Sequence, residues 1–391
     1  MSKRIVYLDN AATSEVKPEV LVKMMPYFLD EIYNPSALYS KGIEIRQVVE
    51  NARNIIAQSI GAKNKEIYFT SGGSESNCWA IQGFVNYWLG QNITPVVVTS
   101  VIEHKSILEC VNNLPVVTKF IHVDNKGFVD LEELKEKIVD HFPTLVSIQY
   151  ANNEIGTVQH IKQIAEICHK KHAIFHTDAV QAYGHIYCDV NALDIDMLSA
   201  SGHKFGAVKG SGFLYIKQGV QIKPLIYGTQ NFGMRGGTEN VPYIVGMATA
   251  AESIIKKDYL NEISCCKEVR DYAIDQLVNR FHVTLNGDAV NRLPNNINVT
   301  IPSTLTGESL IYMLDSSDIY ISAGSACNSH IDKPSYVLKA IGLSDDDARR
   351  TIRISLNEYV KKEHIDYLIT EIDKAIKVAE INEKKLKTDL P

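Results

Sequence analysis

From about residue 66 the chain alternates short, β-branched apolar runs with longer stretches whose apolar residues recur three and four apart. EIYFT (66–70), PVVVTS (95–100), KFIHV (119–123), LVSIQYA (145–151), HAIFHTD (172–178), MLSAS (197–201) and GFLYIK (212–217) predict strands. SNCWAIQGFVNYWL (76–89) and IKQIAEICHKKH (161–172) predict helices between them. Strand and helix in alternation predict an α/β domain with a mostly parallel, helix-covered, seven-stranded sheet. After roughly residue 260 the pattern changes. FHVTLN (281–286), NNINVTIP (295–302), DIYISAG (318–324) and TIRISLN (351–357) predict strands, mixed with helical GESLIYMLDS (307–316) and KPSYVLKAIG (333–342). A closing helix carries Ile365, Leu368, Ile369, Ile372 and Ile376 on one face, and the polar tail from about Glu383 is expected to fray. The expected division is a large domain over 15–260 and a smaller α+β domain formed by 1–14 and 261–391.

Composition narrows the classes of function. The 391 residues are 45% hydrophobic and 22% charged, the balance of a globular protein, and a net charge of -6 argues against direct binding of nucleic acid. No apolar run has the length of a membrane span, and the N-terminal residues lack a signal-peptide pattern, so a cytoplasmic location is expected. The seven cysteines are scattered with no C-x-x-C pair, which predicts neither a disulfide framework nor a metal site.

Candidate chemistry lies in the segments just after the strands. In FTSGGSESN (69–77), Gly72 and Gly73 allow close approach of an anion to backbone N–H groups, and Ser74 adds a hydroxyl; a serine-capped βα turn gives the same pattern. HTDAVQ (176–181) puts Asp178 at a strand's carboxyl end, where open α/β sheets bind ligands; a capping aspartate is the plainer reading. Asp178 is suited to the protonated ring nitrogen of pyridoxal 5'-phosphate (PLP), and Gln181 to its phenolic oxygen. SASGHKFGAVKGSG (199–212) sets Lys204 in a small-residue turn after an apolar strand, where desolvation frees an amine for Schiff-base formation, with Ser201 and His203 placed for a phosphate. A Schiff-base lysine with an acidic partner is the PLP pattern. EHKSI (103–107) and ANNEIGT (151–157) offer His104 for stacking and Asn153 for a cofactor or substrate contact. SAGSACNSH (322–330) is a small-residue loop bearing Cys327, a candidate reactive thiol. TIRISLN alternates with Ile352, Ile354 and Leu356 inward; Arg353 points outward, either to clamp a carboxylate or as an ordinary edge-strand charge.

YLDNAAT (7–13), NPS (34–36), SGGSESN, EH, NNEIGT, HTDAVQA, SASGHK with KGSG, RGGTENV (235–241), SAGSAC and RISL (353–356), in this order, resemble the cysteine desulfurases of the NifS/IscS type. These belong to the class-V aminotransferases among the fold-type I, aspartate aminotransferase-like PLP enzymes. The resemblance implies PLP, with Lys204 as its covalent anchor, Asp178 as the pyridinium partner, and Gln181 and Asn153 near the phenolic oxygen. It implies His104 as the stacking imidazole and proton carrier, and Gly73, Ser74, Ser201 and His203 as the phosphate site. Thr238 is implied to reach the neighbouring subunit's phosphate, hence a homodimer. Arg353 is implied to bind the carboxylate of L-cysteine, and Cys327 to take its sulfur as a persulfide while alanine forms. SAGSAC resembles the longer-loop group, which hands sulfur to acceptor proteins for iron–sulfur cluster assembly, transfer-RNA thiolation or thio-cofactor synthesis. Ser74 replaces a common threonine, Tyr39 a common histidine, and YGTQN (227–231) a glycine run. A selenocysteine lyase, or a lyase or aminotransferase on the same fold, shares Lys204 and Asp178, but an aminotransferase has no need of Cys327. A non-catalytic sulfur-relay scaffold has no need of any of the three.

Overall fold

The computed structural model describes residues 5–256, 259–323 and 333–388. Its central sheet has seven strands, in the order Ile67–Thr70, Gly212–Ile216, Met197–Ser201, Ile174–Asp178, Thr144–Ser147, Val96–Ser100, Thr118–Ile121. All pairs are parallel except those made by Gly212–Ile216, which runs against both neighbours. The seven apolar runs of the sequence are therefore the seven strands. The strand predicted over 145–151 leaves the ladder after Ser147, although the Ile148 and Tyr150 N–H groups still donate to His176 and Asp178 carbonyls. Three of the central strands, Val96–Ser100, Thr144–Ser147 and Met197–Ser201, are buried along their whole length, because helices cover both faces.

Two apolar layers flank the sheet. One joins Ile56, Val98, Val146, Phe175 and Phe213 to the helices Ser40–Ser59, Ile161–Lys170 and Val241–Ile255. The other joins Val97, Leu145, Met197 and Leu214 to the helices Gly73–Leu89 and Lys105–Asn112. A third core gathers Val6 and Leu8 with Ala273, Leu277, Val299, Ile354 and Ile372. Here Asn296–Thr300 pairs antiparallel with Thr284–Leu285 and with Thr351–Ser355, and Val6–Tyr7 pairs parallel with Ile319–Tyr320.

Several details differ from the sequence pattern. The run 318–324 supplies only the two-residue strand Ile319–Tyr320, since its partner Val6–Tyr7 is equally short. The helix expected over 333–342 is confined to Tyr336–Ala340, because Ser335 caps it by accepting from the Val337 and Leu338 N–H groups. The helix expected over 76–89 begins earlier, at Gly73. The closing helix runs Lys362–Thr388, so the polar tail extends it, with Ile365, Leu368, Ile369 and Ile372 buried.

Candidate functional site

The parallel strands end on one edge of the sheet, and the turns and helix starts beyond those ends meet in a cavity of ≈ 290 Å³. Its walls include Gly73, Ser74, Asn77, His104, Asn153, Asp178, Gln181, Ser201, His203, Lys204 and Arg353. Every sequence-chosen site residue among the described ones is there except Thr238, which is exposed and lines a different surface pocket with Ser71 and Gly210. Cys327 lies outside the described residues.

The anion-facing turn depends on glycine. Gly72 has φ 154 and ψ -177, a conformation open in practice only to glycine. A Cβ on Gly73 would stand 2.5 Å from Val180 Cγ2, and one on Gly212 would stand 2.6 Å from the Gly72 Cα. The helix Gly73–Leu89 starts without a side-chain cap, so its first N–H groups face the cavity edge rather than a serine hydroxyl. This corrects the serine-cap reading of that turn. Glu75 instead accepts from the Ser71 N–H at 2.7 Å and pairs with Arg235 at 2.8 Å. Ser201 ends its strand beside Gly72. Burial, with Lys204 and Lys209 nearby, lowers His203 to about 4, so it acts as a neutral imidazole; its Nδ1 lies 3.2 Å from the Thr13 hydroxyl.

Asp178 ends the strand Ile174–Asp178 and is almost fully buried. It accepts from two neutral donors, the Val180 N–H at 2.9 Å and Asn77 Nδ2 at 2.7 Å. Burial pushes its carboxyl above the ordinary value, against the pull of His104, the Val180 N–H, Asn77 and Lys204. A cationic N–H brought into the cavity would favour its ionised form. Lys204 lies in the short 3-10 turn Gly202–Lys204 after the strand, and its Nζ donates to the carbonyls of Ala11 and Ala12 at 2.6 and 2.7 Å. Gln181 Nε2 donates to the same Ala11 carbonyl at 3.0 Å. The YLDNAAT segment thus forms one wall of the site.

Arg353 departs from the outward, edge-strand reading. It is 2% exposed, and all of Thr351–Ser355 is buried, because Asn296–Thr300 covers one edge and Ser322 bridges to Arg353 on the other. Nη2 donates to Asp9 Oδ1 at 2.7 Å and Nη1 to the Asn153 carbonyl at 3.1 Å. Its Nε is buried with no hydrogen-bond partner among the described residues. A guanidinium held in place on the cavity wall suits a carboxylate.

Asn77, Ser106, Glu103, Glu154 and Tyr336 also build the site and were not assigned roles from sequence. Asn77 stands four residues after Gly73 on one helix face, a spacing that could have flagged it. Glu154 comes directly after Asn153, is buried, and accepts from the Ser335 hydroxyl; Tyr336 donates to the Glu103 carbonyl at 2.6 Å. Ser322 and Ser335, either side of the stretch 324–332, are therefore both joined to residues of the cavity wall or beside it.

This fold and this site define a class. The chain belongs to the aminotransferase class-V family, which matches over residues 6–368. Within it, the chain is 43% identical over 382 residues to the cysteine desulfurase IscS of Dictyoglomus turgidum, covering 96% of this chain and 95% of that one. Among solved structures it is similar to a NifS-like protein, with a TM-score of 0.89 and 34% identity over 96% of this chain and 100% of the other. It is also similar to SspA in complex with cysteine, with a TM-score of 0.80 and 34% identity over 91% and 100% of the two chains.

The cavity fits PLP, the cofactor of this class. A glycine turn and an uncapped helix start suit its phosphate. Asp178, buried with only neutral donors against it, suits the ring N–H, and Lys204 suits the aldehyde carbon.

Proposed function

We infer that this protein is a PLP-dependent cysteine desulfurase, which converts L-cysteine to L-alanine and holds the sulfur as a persulfide on Cys327. The observation that carries the reading is the meeting of Lys204, Asp178 and Arg353 in one cavity. When bound, PLP supplies an electron sink for bond changes at the substrate's α-carbon. Asp178 would keep the proton of the ring nitrogen in place, while Gly73, Ser74, Ser201 and His203 would hold the phosphate. Asn153 and Gln181 would bind the cofactor's phenolic oxygen. Arg353 would bind the cysteine carboxylate, and the Lys204 amine would take the α-proton. The Cys327 thiolate then attacks the substrate sulfur: an S–S bond forms, the C–S bond breaks, and the carbon fragment leaves as alanine after protonation.

The reading extends to a homodimer. Leu21, Val22, Met25, Phe28, Leu29 and Ile32 are exposed within one short stretch, an apolar patch of the kind that marks an interaction surface, and Thr238 is exposed, so placed to serve a partner's phosphate. It also extends to transfer of the persulfide sulfur to acceptor proteins, for iron–sulfur cluster assembly, transfer-RNA thiolation or thio-cofactor synthesis, in the cytoplasm. No helix among the described residues is long and apolar enough to cross a membrane. The domain division at 1–14 and 261–391 belongs to the same proposal, supported by Val6 and Leu8 sharing a core with residues beyond 270.

The test is release of sulfide and alanine from L-cysteine, with a reductant present, by the protein and by Cys327→Ala. Equal amounts of both products are expected from the protein, and neither from the variant although it retains PLP. A protein that carries PLP but leaves cysteine intact would point to selenocysteine or an amino-group acceptor as substrate. A protein that binds no PLP would overturn the reading.

A further inference from the structure

The cavity wall contains a chain of hydrogen bonds from Asp178 to His104 whose direction is fixed at every step. Asp178 accepts, so the atom of Asn77 lying 2.7 Å from Oδ2 is the amide nitrogen. The second N–H of that amide points at Ser106 Oγ, 3.0 Å away, and Ser106 accepts it. The Ser106 O–H is then left to donate, and Nδ1 of His104 stands 2.8 Å from Oγ. The Ser106 backbone N–H, which has no choice but to donate, reaches the same Nδ1 at 3.1 Å. The orientation leaves Asn77 Oδ1 buried and unpaired among the described residues. Turning the amide over would set that oxygen against Asp178, which is worse.

We propose that Asn77 and Ser106 are positioning residues, which hold His104 in the tautomer with its proton on Nε2 and tie its ring to Asp178. Two donors on Nδ1 fix both the proton and the rotation of the ring. His104 lines the cavity, and its bonded nitrogen is turned to the protein, so Nε2–H is what it offers to the cavity. His104 therefore offers a hydrogen bond from Nε2–H to what enters the cavity, and removal of the α-proton falls to Lys204. This division of labour rests on the desulfurase reading; the tautomer does not.

The test uses the full-length protein labelled with 15N-histidine, with and without PLP, and His104→Gln to assign the ring signals. The expected spectrum has a bare Nδ1 and a protonated Nε2. Ser106→Ala removes the hydroxyl and frees Asn77, so the two tautomers are expected to mix. Alanine release is expected to fall about tenfold in kcat with KM changed less than about twofold, the scale of one positioned hydrogen bond lost. Ser106→Thr keeps the hydroxyl and is expected to restore both readouts. Asn77→Ser cuts the chain one link earlier and serves as the second variant if Ser106→Ala does not fold; a shift of the ring signals in the same direction is expected. A merely structural helix-start role lowers the melting temperature without moving the ring signals. The proposal is overturned if His104 carries its proton on Nδ1, or if Ser106→Ala leaves tautomer and kcat as they were. If the protein releases no alanine from cysteine, the functional reading falls, while the ring signals still decide the tautomer.

Discussion

Arg353 shows how much a single side chain's surroundings decide. Its guanidinium is locked on the cavity wall by Asp9 and the Asn153 carbonyl. Arg353→Ala is expected to raise KM for cysteine roughly 10- to 100-fold, the loss of about 1.5–3 kcal/mol of charged hydrogen bonding. Arg353→Lys keeps the charge but not the fork, and should recover only part; steady-state kinetics with cysteine checks both. Glu103 poses a different question. Burial, with a further push from Asp178 against the pull of Ser100 and the Gln149 N–H, raises its carboxyl from 4.5 to about 8. Between those values the folded protein keeps a proton that the unfolded chain has released, so stability falls as pH rises through this window. Glu103→Gln donates to the Ser100 hydroxyl and accepts from the Gln149 N–H in the same places. The melting temperature of the variant is expected to decline less steeply over that pH range; an unchanged slope would assign the decline to other groups.

At the scale of elements, the glycine turn proposed to hold the phosphate is set by backbone contact between two strand ends. Because Gly212 and Gly72 touch backbone to backbone, Gly212→Ala is expected to cost about 1–3 kcal/mol. It is also expected to weaken PLP binding more than cysteine binding, since the displaced turn is the one proposed to hold the phosphate. Thermal melts with and without PLP separate the two effects. The YGTQN segment departs from the family pattern yet has a clear structural role. Asn231 and Phe232 adopt φ 48 and φ 59, and Asn231 Oδ1 accepts from Arg53 Nη1 and from the Phe69 N–H. The buried Arg53 guanidinium lies between the rings of Phe69 and Phe232, at 4.6 and 4.8 Å. The loop is thus pinned from inside the large sheet.

For the whole molecule, the proposed dimer makes a sharp prediction. Sedimentation of the intact protein is expected to give twice the 43.7 kDa chain mass. Val22→Asp with Leu29→Asp places two charges on the exposed apolar stretch and is expected to give monomers that hold PLP more weakly, because Thr238 then has no partner site to enter. A monomeric intact protein would remove the role assigned to Thr238.

The sequence by itself determined a good deal: all seven strands of the large sheet, the apolar face of the closing helix, and the placement of Asp178 at a strand's end and of Lys204 and His104 after strands. Period-two and 3.6 patterns are local, and burial on both faces writes them plainly into the chain. The ordered motifs identified the family for the same reason, since each sits where backbone geometry demands small or polar residues. Local pattern could not show that Arg353 is buried, because alternation reports which face a residue lies on and not what covers that face. Nor could it show that Ala11 and Ala12 receive Lys204, or that Asn77 and Ser106 join Asp178 to His104. Those contacts link residues 193, 192, 101 and 29 positions apart, and only the packing of the N-terminal segment and two helices against the sheet edge creates them.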